Sequence, residues 1–165
     1  MSDAAISDAA IKERPGAQKV SAQTDRRQFV TMTVAGQLFG LPILDVHDIV
    51  VPEKITRVPL APAEVAGLIN LRGKIVTAID MREVLRVPPL STGQKRVGVT
   101  VSHRGETYTL LVDAVGEVVE LDNSNFEANP PTLDARWRHL ADGIFRLEGE
   151  LLVVLRVDRM MQIEG

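Results

Sequence analysis

The sequence predicts an all-β protein made of two small barrels packed together, and three observations lead to this class. Short apolar stretches alternate with polar residues at the two-residue period of β-strands. Glycines recur between these stretches, at Gly36, Gly73, Gly105 and Gly149, which predicts at least four hairpins. Closing hairpins into barrels removes unpaired strand edges that would otherwise aggregate. The proline-containing break at residues 88–94 is the expected division between the two barrels.

Length and composition narrow the class of protein and its partners. The 165 residues, 45% of them hydrophobic, are enough for one soluble domain with a sizeable core. The net charge of −3 argues against nucleic acid as a partner, because phosphate binding normally needs a basic surface. The absence of cysteine excludes disulfides and thiolate sites, and it fits the cytoplasm. The longest clean apolar run, residues 151–155, is too short for direct membrane insertion, and no secretory pattern precedes it.

The first boundary in the chain is expected near Gln28. Residues 1–27 contain only Ile6, Ile11 and Val20 as sizeable apolar groups, so their burial cannot offset the entropy lost on ordering. We therefore expect residues 1–27 to be a flexible tail and residues 28–165 to form the folded domain.

The first folded elements follow this boundary. Residues 30–34 and 38–41 are apolar or alternating stretches on either side of a glycine turn, which predicts a hairpin. Pro42 is accepted in the first turn of a helix, and apolar residues at helical spacing then predict a short helix that Pro52 ends. Residues 54–58 are predicted as a short strand.

The next segment, residues 67–82, reads GLINLRGKIVTAIDMR. One helical turn, at residues 64–66, is expected just before it. Apolar residues on both sides of Arg72-Gly73-Lys74 predict a second hairpin with the arginine at its turn. Asp80 stands three residues before Glu83, the spacing of a capping box, so a short helix is expected next.

The second half of the chain repeats these patterns. Five strands are predicted from alternating or continuous apolar residues: 97–101, 108–112, 115–121, 144–147 and 151–157. The first two and the last two of these strands form hairpins, because a glycine turn separates the members of each pair. A polar stretch, residues 122–138, lies between the third and fourth strands. Asp158 is expected to cap a last short turn.

The run Asn70-Leu71-Arg72-Gly73, followed by a strand and then Asp80-Met81-Arg82, resembles the signature of the CheW family of bacterial chemotaxis adaptors. Further similar elements extend over roughly residues 27–161, and they include Phe39-Gly40-Leu41-Pro42-Ile43, Val46-His47-Asp48-Ile49, Val112-Asp113 and Val157-Asp158-Arg159-Met160. The resemblance implies two five-stranded SH3-like barrels with short helices. It also implies an adaptor that joins the cytoplasmic tips of methyl-accepting chemoreceptors to the regulatory domain of the histidine kinase CheA. Neither catalysis nor a cofactor is implied.

The resemblance also suggests which residues bind partners. Two segments, 46–48 and 67–73, match positions where the family carries partner-binding residues. The partner-binding residues expected from this match are Val46, Asp48, Gly67, Asn70, Leu71, Arg72 and Gly73. The family usually has glutamate where this chain has Asp48. An acidic group there could pair with Arg72 and hold its guanidinium in a fixed orientation, or Arg72 could face a partner or solvent directly.

An enzyme is the first alternative class. Asp80, Asp113 and Asp158 each follow an apolar strand, and two carboxylates brought together could share a proton and activate water. Acids in this position more commonly cap turns and helices, so we expect no catalytic residue. The chain's three histidines, His47, His103 and His139, lack the close spacing of a metal site, so no metal is expected.

A generic SH3-like module that binds proline-rich peptides is the second alternative. Such grooves are lined by clustered aromatic side chains, whereas the aromatic residues here are spread along the chain. Trp137 lies in the polar stretch between Arg136 and Arg138, and it either packs over the junction of the barrels or anchors an interface.

Overall fold

The computed structural model describes residues 25–91 and 94–162, and over these residues the chain forms eleven strands and three short α-helices. The strands are β1 (Arg26–Val34), β2 (Gln37–Pro42), β3 (Val46–Val50), β4 (Val65–Leu71), β5 (Lys74–Asp80), β6 (Val97–His103), β7 (Glu106–Val112), β8 (Ala114–Asp122), β9 (Phe126–Glu127), β10 (Ala141–Leu147) and β11 (Glu150–Leu155). The helices are α1 (Met81–Leu85), α2 (Ala135–Leu140) and α3 (Val157–Met160). Two 3-10 turns lie at Ile43–Asp45 and Asn123–Asn125.

The strands form two sheets. The first sheet has the order β8-β1-β2-β11-β10-β9, and the second has the order β3-β6-β7-β5-β4. Neighbouring strands are antiparallel except for two parallel pairs, β2 with β11 and β5 with β7. All four predicted hairpins are confirmed as β1–β2, β4–β5, β6–β7 and β10–β11.

The expected division of the chain at residues 88–94 is wrong. This segment lies between α1 and β6, and the strands on both sides of it belong to the second sheet. The chain instead crosses between the sheets at Ile43–Asp45 and again at Asp113. Pro88 and Pro89 lie in the connection from α1 to β6, so this segment joins two strands of the same sheet and does not divide the two sheets.

One apolar core is shared by the two sheets. Its buried residues include Met32 and Phe39 from the first sheet and Val99 and Leu110 from the second. Two smaller clusters lie apart from it, one around Phe29 and Phe145 of the first sheet and one around Ile69 and Val76 of the second. The sheets therefore pack as parts of one body and are not joined by a linker.

The helix predicted for residues 43–50 is also wrong. A single 3-10 turn covers Ile43–Asp45, and β3 follows directly and pairs with β6. The β-branched residues of this segment favour a strand once a partner strand is available, and tertiary pairing then overrides the helical spacing. The strand predicted for residues 54–58 is reduced to one isolated bridge, between Thr56 and Leu68.

Three further predictions concern a helical turn before β4 and the capping of α1 and α3. The helical turn expected at residues 64–66 is absent, because β4 already begins at Val65. Asp80 does cap α1, since its carboxylate accepts a hydrogen bond from the Arg82 amide at 2.9 Å. Asp158 does not cap α3, because it lies inside the first turn and its carboxylate binds Arg156.

The expected N-terminal boundary of the folded domain is near Gln28. β1 begins at Arg26, two residues before the expected boundary, and the Asp25 carbonyl accepts from the Asn123 amide at 2.8 Å. Residues 1–24 of the expected tail lie outside the described residues. Within the polar stretch 122–138, α2 is a helix that the sequence did not reveal, and it is capped by Asp134.

Candidate functional site

The candidate site is the tip of the β4–β5 hairpin. Arg72 and Gly73 occupy the two central positions of its turn, with φ of 52° and 84°. Two consecutive positive φ angles are typical of the type I′ turn that joins twisted antiparallel strands. The Asn70 carboxamide oxygen accepts a hydrogen bond from the Gly73 amide at 2.8 Å, which fixes the turn. The Arg72 side chain is 75% exposed at this fixed position.

Asp48 and Arg72 form an ion pair. Arg72 Nη1 donates to Asp48 Oδ2, and Asp48 Oδ1 accepts from the Ile49 amide at 2.8 Å. The hydrogen bond from Arg72 lowers the pKa of the Asp48 carboxyl below its ordinary value. β3 and β4 are the outer strands of the second sheet, so the pair links its two edges through side chains. The shorter aspartate side chain therefore does reach Arg72.

Gly67 has a structural position in β4. It is buried, and its φ is +149°. A Cβ atom at this residue would lie 2.3 Å from the Thr56 carbonyl oxygen. Thr56 and Leu68 exchange two backbone hydrogen bonds, of 2.9 and 2.7 Å. Glycine is therefore required for the chain before β4 to approach that strand.

The other expected residues differ in how far they reach the surface. Asn70 and Gly73 are exposed, and Leu71 is half-buried. Val46 is half-buried against the shared core. The structure thus brings Asp48 together with the hairpin tip, whereas Val46 and Gly67 support this region from inside.

The sequence reasoning missed two exposed apolar side chains that lie close to the ion pair in sequence. Ile75 leaves the turn on β5 and is 64% exposed, and Ile49 follows Asp48 and is also exposed. A groove of about 220 Å³ lies nearby, lined by residues Val50, Pro52, Glu53, Lys54, Ile69, Asn70 and Leu71. The exposure of Ile75 could have been predicted from the hairpin, because Ile75 stands opposite Asn70 in the register and so shares its outward face.

The three acids of the hydrolase alternative are each paired with an arginine. Asp80 contacts Arg96 at 3.0 Å, and Asp158 contacts Arg156 at 3.0 Å. Asp113 accepts from Arg82, and this hydrogen bond lowers the pKa of its carboxyl. A general acid at neutral pH needs a raised pKa, so the environment of Asp113 is opposite to that requirement.

Three aromatic rings, those of Phe29, Phe39 and Phe145, are fully buried. Phe29 and Phe145 meet edge to face with centroids 5.4 Å apart. Trp137 packs against Phe39 at 5.3 Å, and its indole nitrogen donates to the Leu85 carbonyl at 2.9 Å. Phe39 belongs to the first sheet, and Leu85 belongs to α1, which connects β5 and β6 of the second sheet, so Trp137 lies over the junction. This placement agrees with the first of the two roles considered for it.

Comparison with known proteins identifies the family. The family description "CheW-like domain" matches residues 28–164. The chain belongs to the CheW family. Chemotaxis protein CheW of Helicobacter pylori is 25% identical over 151 residues, which cover 92% of this chain and 91% of that protein. CheW of Rhizobium meliloti is 26% identical over 138 residues, which cover 84% and 89% of the two chains.

A solved structure supports the same assignment. The scaffolding protein TtCheW from Thermoanaerobacter tengcongensis is 30% identical, with a TM-score of 0.74, and the match covers 84% of this chain and 94% of that chain. The two sheets are thus the two SH3-like subdomains of a CheW protein, which confirms the predicted fold class. The chain is an adaptor of the chemotaxis system. None of the described helices is long and apolar enough to cross a membrane.

Proposed function

We propose that this CheW protein couples methyl-accepting chemoreceptors to the regulatory domain of the histidine kinase CheA, in the cytoplasm, without catalysing a reaction itself. The observation that carries the proposal is the Arg72 guanidinium, which is exposed and whose Nη1 is bound by Asp48. An arginine bound in this way can offer its free N–H groups to a partner with little further loss of side-chain entropy.

The surroundings of Arg72 support a protein partner. Ile49 directly follows Asp48 and Ile75 comes three residues after Arg72, and both apolar side chains are exposed. Protein interfaces commonly combine an arginine with apolar contacts that exclude water around it. We propose that Asp48, Arg72 and the turn residues contact the partner directly, and that Gly67 acts indirectly by holding β4 in place.

The contacts of the acidic residues support an adaptor without catalysis. Asp80 and Asp113 each bind an arginine and a backbone amide, at the start of α1 and at the β1–β2 turn, and Asp158 binds Arg156. The peptide-module alternative is less well supported, because Phe29, Phe39 and Phe145 are fully buried and cannot line a surface groove.

The test replaces Arg72 by glutamate and measures binding to a purified CheA regulatory domain and to a receptor cytoplasmic fragment. Arg104→Glu is the matched control, because Arg104 occupies the same turn position before Gly105 in the β6–β7 hairpin, with φ also 52°. We expect Arg72→Glu to weaken binding of at least one partner about thirtyfold or more, the effect of a hot-spot residue. Arg104→Glu should change neither affinity more than about twofold, as expected for a residue outside the interface.

Melting curves distinguish a lost contact with the partner from a destabilised fold. Both variants should melt within a few degrees of the parent if Arg72 acts at the surface. If Arg72→Glu melts much lower, Asp48→Arg is added to restore an opposite pair, and recovery of melting without binding would still assign the Asp48–Arg72 pair to the interface. Equal affinities for Arg72→Glu and Arg104→Glu would contradict the proposal.

A further inference from the structure

The chain passes from the second sheet back to the first through one residue, Asp113. β7 ends at Val112 and β8 begins at Ala114, and these strands belong to different sheets. Because the connection is so short, any change in the angle between the sheets must change the backbone torsions at this residue. Such element-terminal positions are where hinge motions are absorbed in other proteins.

Asp113 is bound by the first sheet through two hydrogen bonds. Its amide donates to the Thr33 carbonyl of β1 at 3.0 Å. Its Oδ2 accepts from the Ala35 amide, in the β1–β2 turn, at 2.8 Å. The backbone and the carboxylate of the connecting residue are therefore both attached to one hairpin of the first sheet.

The second sheet holds the same carboxylate through Arg82. This residue lies in α1, directly after β5. Its Nε donates to Asp113 Oδ1 at 3.0 Å, and its Nη2 donates to Oδ2 at 2.6 Å. The third nitrogen, Nη1, donates to the Pro88 carbonyl at 2.6 Å. The Arg82 and Asp113 side chains are only 14% and 20% exposed.

The geometry of this pair restricts the angle between the two sheets, which the apolar core cannot do. Burial of apolar surface holds the sheets together, but its attraction is non-directional and tolerates small rotations. A bidentate arginine–carboxylate pair is directional, since two parallel hydrogen bonds define an angle as well as a distance. The same carboxylate also accepts a hydrogen bond from the Ala35 amide, next to the first sheet. The orientation of the pair therefore restricts the angle between the two sheets.

We infer that the Arg82–Asp113 pair is a positioning device that sets the angle between the two sheets. Its consequence for signalling rests on the proposed function: if receptor and kinase bind separate surfaces of the adaptor, the pair fixes how those surfaces are placed relative to one another. Arg82 and Asp113 are positioning residues here, since neither lies at the hairpin tip that carries Arg72.

The test is a distance measurement between spin labels on the two sheets of the full chain. The chain has no cysteine, so Glu106→Cys in β7 and Glu148→Cys in the β10–β11 turn give two unique labelling sites, both exposed. We expect Arg82→Ala to broaden the distribution of label distances and to shift its mean outside the spread of the parent. Arg82→Lys should give an intermediate result, because a lysine keeps the charge but cannot form the two parallel bonds.

Arg96→Ala is the matched control. Arg96 contacts Asp80 at 3.0 Å with side-chain exposures of 24% and 21%, close to those of Arg82 and Asp113. This pair joins two parts of the second sheet, so its loss should lower stability without changing the distance between the labels. Strand content measured by circular dichroism must match the parent in each variant that is compared.

Three results would overturn the inference. The first is a lower melting temperature for Arg82→Ala with an unchanged distance distribution, because the pair would then only add stability. The second is an equal broadening in Arg96→Ala. If Arg82→Ala does not fold, Arg82→Lys decides, and a distribution identical to that of the parent is the third overturning result.

A binding and activity measurement separates this inference from the proposed function. Arg82→Ala should bind the isolated CheA domain and the receptor fragment within about twofold of the parent, as residues outside an interface do. Receptor-dependent kinase activity should fall about fivefold or more, the lower end of ordinary coupling effects. Unchanged activity despite altered distances would overturn the signalling consequence. If Arg72→Glu also left both affinities unchanged, the proposed function itself would have failed, while the distances would still establish the positioning role.

Discussion

Replacing Gly67 by alanine tests how β4, the strand that leads to the hairpin tip, is held in place. A Cβ atom at this position would lie 2.3 Å from the Thr56 carbonyl oxygen and 2.8 Å from Ile55 Cγ2. The first contact is with backbone, so it cannot be relieved by a side-chain rotation. We expect the segment at Ile55 and Thr56 to move away from β4 and to lose its bridge to Leu68.

The size of the effect follows from two contributions. Holding an L-residue at φ of +149° costs about 1–3 kcal/mol. The two backbone hydrogen bonds between Thr56 and Leu68 contribute about 0.5–1.5 kcal/mol each. Gly67→Ala should therefore lower the free energy of unfolding by about 2–6 kcal/mol, measured by urea titration with circular dichroism.

Gly73→Ala is the control for backbone strain alone. Gly73 also has a positive φ, of 84°, but nothing lies within 4 Å of a Cβ atom there. Its replacement should cost only about 1–2 kcal/mol. Amide exchange at Leu68 should accelerate in Gly67→Ala and not in Gly73→Ala, because only the first variant breaks the bridge. Equal costs for the two variants, with Leu68 still protected, would refute the reasoning.

Two further predictions concern the junction of the sheets. Trp137→Phe should lower the free energy of unfolding by about 1–3 kcal/mol, because the Leu85 carbonyl loses its hydrogen-bond donor. Urea titration measures this change. An unchanged free energy of unfolding would show that solvent replaces the lost hydrogen bond. Asp113 has a pKa held below its ordinary value of 3.8, chiefly by the hydrogen bond from Arg82, so its contribution to stability is present above pH 3.8 and is lost as the pH falls through the folded-state pKa. Asp113→Asn should therefore be less stable than the parent at pH 7, and the difference should shrink in melting curves recorded below about pH 4; a constant difference would contradict the assignment.

The hairpins could be predicted because their signals are local. Each combines alternation along two short strands with a glycine at the reversal, and these features do not depend on distant residues. The turn at Arg72 and Gly73 is an example, because both its position and the arginine at the reversal could be predicted from residues 67–82 alone. Its partner was less accessible, because whether Asp48 reaches Arg72 depends on how β3 and β4 are brought together at the edges of one sheet.

The errors arise where distant pairing decides the structure. Residues 43–50 show apolar spacing suited to a helix, but β6 is available as a partner and most of the segment becomes β3. The assignment of strands to sheets failed for the same reason, since the parallel pairs β2–β11 and β5–β7 join residues far apart in sequence. The proline-containing segment at 88–94 is conspicuous locally, yet it says nothing about those pairs.

Asp113 shows a second limit of prediction from sequence, which concerns contacts between separate parts of the chain. Its position after an apolar strand predicted a turn or cap, and its bond to the Ala35 amide agrees with that role. The second role, as the carboxylate bound by Arg82 between two sheets, needs three separate parts of the chain to meet. The sequence patterns pointed to Asp80-Met81-Arg82 and Val112-Asp113 separately, but they did not show that Arg82 and Asp113 are in contact.

The shared core has a consequence for how an adaptor of this kind can transmit a signal. If the two sheets were separate domains on a linker, a change in one partner would be lost in their relative motion. Here Met32 and Phe39 pack in one cluster with Val99 and Leu110, and Arg82 and Asp113 add directional bonds across the same junction. A rigid adaptor can favour one conformation of a bound kinase only through contacts that differ between the conformations. Under the proposed function, the angle between the sheets sets how the receptor-binding and kinase-binding surfaces are placed relative to one another. The inferred role of Arg82 and Asp113 would then make this pair part of signalling without a contact to either partner.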